Sequence, residues 1–504
     1  MIITFGLNIV FFALVVWTLQ RAYVVDQSFT DYAVGGRSFG GFFQAMSFLN
    51  TWYPGVIFVA FVGLAAGSGV LGFYPLSYSA LTVVLMYIIA RPVWVWGKHF
   101  DLKTQPDLFA LRYGSRHIRT ITALIGIISG FPWLVLGMQA LGTLFRAMSL
   151  GTITFGTAVL IGVGVMVIRQ VWTIRMGMRG VVISDMVQGV VAYVVGTGVI
   201  IALIVWLLIV RDVKFSSVMP ELFEIPGIGS KQGPLYLFAL IFTGTLGGWC
   251  WPSIFVRLYT ADGVKSLKKS AAICIPLGSL FYGSLVIMAI LASTLPEIAK
   301  NPDQVWFILS RQAGGPFLLG IAGVIVLAAS MGNIDGAIQA TGAQIANDLV
   351  GNYRKLPHGQ LVWIAKGAMV LITLFAAWLS CLELPKLFTL AVLAYQGIIQ
   401  LSVPQFLGIV WKRGNKAGAI GGMVGGFITA VSLEVYSPGP LPWAFGLTSG
   451  VIGLAVNLLI YVVAAYAIPR SAAETHRLAS IFALVEGTDG RVSQIADHPA
   501  VFLA

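Results

Sequence analysis

Nearly all of the charge in this chain is confined between runs of about 20 apolar residues, the length that crosses a bilayer as a helix. That pattern leaves few folds open. The runs lie near 2–19, 42–66, 71–96, 120–149, 152–173, 180–210, 235–260, 270–294, 316–347, 361–382, 385–411, 416–437 and 441–468. Backbone at membrane depth must satisfy its own hydrogen bonds, so each run is expected to be a helix, thirteen in all. Only 10% of the 504 residues are charged, against roughly 25% in soluble globular domains. The expected class is an all-α membrane protein. Its first run begins at Ile2 with no basic residue before it, which reads as a retained span rather than a cleaved signal.

The net charge of +12 is a topological signal rather than a nucleic-acid footprint. Alternate loops hold twenty-two Lys and Arg residues, among them Arg169, Arg175 and Arg179 after the fifth span and Arg257, Lys265, Lys268 and Lys269 after the seventh. The opposite loops hold six, and Arg91, Arg146 and Lys366 fall inside marked spans. Basic loops face the cytoplasm, so an outside N-terminus and an inside C-terminus are expected, in the plasma membrane. Cys250, Cys274 and Cys381 are far apart in apolar segments and read as small core residues. The tail after Pro469 carries one short helical pattern, too little for a catalytic or kinase domain.

Two spans carry breaks. The second reads "FFQAMSFLNTWYPGVIFVAFVG", with Pro54 and Gly55 after a polar Asn50-Thr51 pair, and the seventh reads "FTGTLGGWCWPSIFVRLYTA", with three glycines and Pro252. Unwound helices at membrane depth are tolerated where they line a cavity, and a pair of them at matching positions in two halves marks a transporter's substrate site. The expected organisation is a peripheral segment 1–40 and a core 41–411 made of two five-helix repeats, about 41–210 and 235–411. Two peripheral helices at 412–468 and a short cytoplasmic tail at 469–504 complete it. A channel would need filter sequences, and a membrane sensor would need an output domain.

Of nineteen acidic residues, only Asp185 and Asp335 fall well inside a predicted span. A carboxylate at a helix centre costs roughly 2.5–3.5 kcal/mol on insertion scales, so each is a candidate for function. Asp185 opens the sixth span with Gln188 on the same face; a solvated acid near the positive end of the helix is the alternative. Asp335 lies deeper, in "MGNIDG" of the ninth span, on a face with Met331, Gly332, Gln339 and Gly342. Asn333 is offset from it by about 200°, since each residue turns about 100°, so the two serve different contacts. The five histidines lie in loops or the tail, and no Ser-His-Asp or metal spacing appears. No enzyme and no organic cofactor are expected.

Five stretches resemble signatures of the sodium:solute symporter family, and they occur in its order. They are "DYAVGGRSFG", "TQPDLFALRYGSR", "GMRGVVISDMVQ", "WPSIFVRLYTADGVKSLKKS" and "QLSVPQFLGIVWKRGNKAGAIGG". The resemblance implies thirteen helices, with spans 2–11 in the leucine-transporter-like 5+5 inverted-repeat fold. It also implies a sodium site made of backbone carbonyls at the second-span break plus a carbonyl and two hydroxyls on the ninth span. Those positions fall on Asn50, Tyr53 and Ala329, and on Gly332 and Asn333. Many members read "MSTADS" where this chain reads "MGNIDG", so both hydroxyls are missing. An Asn carbonyl oxygen can bind a hard cation, but glycine offers no side-chain oxygen. The resemblance implies Na+ as the coupling ion; the missing hydroxyls leave three readings open, ordinary sodium symport, a weakly held Na+, or H+ carried on Asp185 or Asp335.

For substrate contacts the resemblance points to Thr51, Trp52, Trp133, Gly248, Trp249, Tyr395 and Gln396. Trp133 matches an aromatic of the proline transporters, whereas Val56, Gly244 and Gly248 stand where others would be. The patterns "NTWYPG" and "GFPWLVLGMQ" look more like the short-chain monocarboxylate branch, with an amino acid as the alternative. The expected partners are a small solute and membrane lipid, with a monomer or loose oligomer as the assembly and no nucleic acid.

Overall fold

A computed structural model describes residues 1–24, 28–382 and 394–487. Among these residues the chain is helical, with two isolated bridges, Phe39–Ala261 and Leu441–Leu447. In chain order α1 (Ile2–Arg21) and the short α2 (Phe29–Val34) precede α3 (Gly41–Trp52) and α4 (Ala60–Ser68), the two halves of the second span. Between the halves, Tyr53 has φ −103 and ψ 87, and Pro54 leads into a tight turn over Gly55–Phe58. Pro54 causes the break: it lacks an N–H and its ring drives the preceding residue out of the helical region.

Next come α5 (Tyr74–His99), α6 (Gln105–Tyr113), α7 (Arg116–Met148), α8 (Phe155–Met176), α9 (Met178–Gly189) and α10 (Gly196–Ile209). The seventh span is α11 (Tyr236–Gly247), a turn over Gly248–Cys250, an extended Trp251, then α12 (Pro252–Phe255) and α13 (Arg257–Thr260). Its halves meet at 63°. There follow α14 (Val264–Ala292), α15 (Pro296–Lys300), α16 (Val305–Gln344), α17 (His358–Ser380), α18 (Ser402–Val410), α19 (Lys416–Tyr436), α20 (Ser449–Ala467) and α21 (Ala472–Glu486).

Ten helical segments are long and apolar enough to cross a membrane, or eleven if the bent α11–α13 pair is one span. The expected thirteen are therefore not reached among the described residues. Two spans are missing from that number: the second is broken at Pro54, its first part being the 12-residue α3 and its second part running on with the third span as one segment, Gly55–His99, and the eleventh begins in residues outside those described. Lys386 and Arg491 also lie outside them. The axial element is the ninth span, 72% of whose apolar window is buried against 28% for α1. α16 packs on α3, α7, α9 and α12, so a polar side chain on the packed face of its Ala328–Gln344 stretch is removed from solvent and lipid alike.

Two expectations change. Arg169 and Arg257, placed in loops by the charge count, are 0% and 2% exposed inside α8 and α13. Cys381, read as a core residue, is exposed, while Cys250 and Cys274 are buried. The tail helix α21 docks on the core: Trp96 Nε1 donates to the Ile481 carbonyl at 2.6 Å, and Arg477 donates to the Leu111 and Arg112 carbonyls at the end of α6.

Candidate functional site

The break in the second span frees carbonyls that would otherwise be paired four residues on, and two of them have found side-chain donors. Asn333 Nδ2 donates to Thr51 O at 2.8 Å, and the Tyr193 hydroxyl donates to Tyr53 O at 2.7 Å. A carbonyl only accepts, so the Asn333 amide must present its nitrogen there. Asn50 is oriented in the same way: its Nδ2 lies 3.0 Å from Asp185 Oδ1 and 3.0 Å from Gln188 Oε1, both acceptors.

The five residues expected to hold sodium are thus adjacent, but they do not fit the ion. Tyr53 O is capped, Asn333 turns its donor inward, and Ala329 lies within the regular part of α16, where its carbonyl belongs to the helix ladder; the Asn50 carbonyl, which Pro54 leaves without a ladder donor, is the one expected ligand that stays open, beside an Asn50 amide that presents its nitrogen to Asp185. A Cβ on Gly332 would sit 1.9 Å from Asn50 Nδ2 and 2.7 Å from Asp185 Oδ1. The space a serine would need at 332 is filled by an amide group from α3.

Both intramembrane carboxylates are fully buried and paired. Asp185 accepts from Ser47 Oγ at 2.7 Å and meets Arg257 Nη2 at 3.2 Å; Arg257 Nη2 also donates to Thr51 Oγ1 at 2.7 Å. Its 0% exposure rules out the solvated helix-start alternative. Asp335 accepts from Gln170 Nε2 at 2.6 Å and pairs with Arg169 Nη2 at 2.8 Å. Asn333 and Asp335 do serve different contacts, as their offset on the helix requires. Gly336, next to Asp335, leaves room for the other guanidinium, since a Cβ there would lie 2.9 Å from Arg257 Nη2. Two carboxylates and two guanidiniums balance to zero, as a buried charge cluster must.

Sequence reading missed Ser47, Gln170, Tyr193 and the roles of Arg169 and Arg257. The signal was present: both arginines fall inside marked apolar runs, and a buried acid needs a compensating cation.

The seventh-span break carries the aromatic part of the site. Phe48 of α3 stacks on Trp52 at 5.8 Å and on Trp249 at 5.7 Å. Trp52 Nε1 donates to Ser79 Oγ and Trp249 Nε1 to Thr82 O, each at 2.8 Å. Gly248 lies beneath the Trp52 ring, and a Cβ on it would come within 2.7 Å of Cη2. Trp133 and Tyr395 form a second group through Trp251, at centroid distances of 6.3 and 6.0 Å. Gln396 stands apart, its Oε1 packed where a Cβ on Gly450 of α20 would be. The Trp249 carbonyl accepts from Gln105 Nε2 at 3.1 Å and Gln405 Nε2 at 3.0 Å, which closes the cluster from α6 and α18.

Comparison with known proteins places this geometry. The profile of the sodium:solute symporter family matches residues 32–426. The chain is 25% identical over 445 residues to a sodium/proline symporter of Haemophilus influenzae, covering 84% of this chain and 86% of that one. It is 23% identical over 463 residues to a monocarboxylate transport permease protein of Rhizobium johnstonii, covering 88% and 91%. A Na+-coupled sialic acid symporter, solved in a substrate-bound outward-open state, superposes with a TM-score of 0.74 at 14% identity, covering 92% of this chain and 96% of that one. The shared fold is an all-helical transporter fold, and the family implies sodium coupling. This multi-pass membrane protein belongs to the sodium:solute symporter family.

Proposed function

We propose that the chain is a secondary active transporter importing a short monocarboxylate such as pyruvate, lactate or propionate. It works in the plasma membrane as a monomer or loose oligomer, N-terminus outside and C-terminus inside, through the two five-helix halves 41–210 and 235–411. The observation that carries the reading is the meeting of two broken spans around Phe48, Trp52 and Trp249. An apolar cluster with single polar groups at its edge, here Ser79 and the Thr82 hydroxyl, suits a small solute.

The two named relatives take different solutes and are almost equally similar, so the choice rests on space. A Cβ on Gly244 would lie 2.5 Å from the Tyr78 ring, and one on Gly248 would meet Trp52. Neighbouring rings fill the volume that aromatics at 244 and 248 would need for a proline-type pocket. An amino acid is the second reading, supported by the Haemophilus relative. Uptake and thermal-shift screening of the purified protein across organic acids, amino acids and sugars tests both. A monocarboxylate should give the largest response, and a sugar or nucleobase as the sole ligand would sink the proposal.

A further inference from the structure

The sodium site was expected between the second and ninth spans, where the sixth and seventh also meet, and apart from the Asn50 carbonyl the oxygens at the break and on Asp185 are already engaged. Thr51 O and Tyr53 O accept from Asn333 and Tyr193. Asp185 Oδ1 accepts from Asn50, and its Oδ2 holds Ser47 Oγ and Arg257 Nη2. A further cation would unbalance a cluster whose two carboxylates already face two guanidiniums, at low dielectric, where an unpaired charge is most costly. At Gly332 and Gly336 a single added carbon would collide, with the Asn50 amide at 1.9 Å and with Arg257 Nη2 at 2.9 Å, so these two side chains lie directly against the helix. The groove along that face of α16 is shaped to an amide and a guanidinium.

We propose that Arg257 is a resident cation of this transporter. Its guanidinium joins α13, α9 and α3 through Asp185 and Thr51 and rests on α16 at Gly336, so it links α3 to α16, the two elements that the expected ion would tie, and adds α9 and α13. An arginine remains charged throughout, and being covalently held it cannot dissociate on the cytoplasmic side. It orders the junction without drawing energy from a gradient. Solute movement therefore does not use sodium through this junction, even though the family as a whole implies sodium coupling. As an account of coupling, the resident cation rests on the transporter reading above, but ion binding can be read with no solute present, so the two fail separately.

The test is the thermal stability of the full-length protein in detergent, titrated with sodium chloride against choline chloride at constant ionic strength. The unmodified protein should show no sodium-specific shift in melting temperature. Arg257→Ala leaves Asp185, Ser47 and Thr51 facing a vacated cation position, and a saturable sodium-dependent rise of a few degrees should appear. Adding Asp185→Asn should remove it. A saturable sodium shift in the unmodified protein that Asp185→Asn or Asn333→Ala abolishes overturns the proposal, because the ion then binds here beside Arg257. A sodium shift untouched by both substitutions places the ion elsewhere and leaves Arg257 in its role. A folded Arg257→Ala protein with no sodium response also overturns it; if that variant does not fold, the titration of the unmodified protein decides alone.

Discussion

Asp335 and Arg169 are both 0% exposed and 2.8 Å apart, and an arrangement of that kind is costly to break from one side. Each charge was removed from water on folding and is tolerated only because the other is there; Thr173 and Ser184 satisfy further N–H groups of Arg169. Removing one partner of a buried pair typically costs about 3–5 kcal/mol, whereas replacing both with apolar groups can be neutral. Asp335→Asn should therefore lower the melting temperature sharply, and Asp335→Leu combined with Arg169→Met should recover most of the loss. A loss in the double variant equal to the sum of the losses of Asp335→Leu and Arg169→Met alone would show that the two charges are not coupled. The sequence alone marks Asp185 as a residue for coupling; its burial against Arg257 gives it a part in folding as well. The glycines of "MGNIDG" were legible as small residues on a packed face. Their purpose was not, because it depends on Asn50 and Arg257, side chains 282 and 79 positions away from Gly332 and Gly336 in the chain.

At the level of elements, the breaks were the most legible part of the site, since proline and glycine act on the residues next to them. Pro54 ends α3 at Trp52, and the glycine run before Pro252 gives the 63° bend. What closes the breaks was not legible, because the partners come from distant helices. Gln105 at the start of α6 and Gln405 in α18 both reach the freed Trp249 carbonyl, and Gln105 Nε2 also lies 2.6 Å from Gln405 Oε1. Cys250, the next residue, is fully buried and reports on this closure. In a background of Cys381→Ser and Cys274→Ala, Gln405→Leu should speed thiol labelling of Cys250. Of the two hydrogen bonds lost, only the one to the Trp249 carbonyl holds the break, and one buried hydrogen bond is worth about 0.5–1.5 kcal/mol, or roughly 2- to 12-fold in an opening-limited rate. An unchanged rate would mean that the amides fill space without holding the break closed.

Over the whole molecule, hydropathy disclosed the class, because apolar length is a property of each segment by itself, whereas the count of spans depended on where breaks and undescribed residues fall. The charge asymmetry also works at this scale. Moving Arg169 and Arg257 from the loops to the interior lowers the basic side from twenty-two to twenty, still far above the six opposite, so the orientation argument keeps its force. The docked tail adds an independent link: Lys412 pairs with Glu486 of α21 at 2.6 Å, and Arg470 Nη1 donates to the Lys412 carbonyl at 2.6 Å. The loop before α19 and the tail must then share one side of the membrane. Lys300, at the end of α15, is exposed in a loop of the opposite set. With Cys381 replaced by serine to remove the exposed native thiol, Lys300→Cys in intact cells should react with a membrane-impermeant maleimide. Lys412→Cys should react only after the cells are opened. The logic is electrostatic: short basic loops stay on the cytoplasmic side during insertion, and Lys412 stands among Arg413, Lys416 and the Arg470 and Arg477 of the tail. Equal labelling of both variants in intact cells would reverse the orientation, and with it the direction in which the site between α3 and α11 first meets its solute.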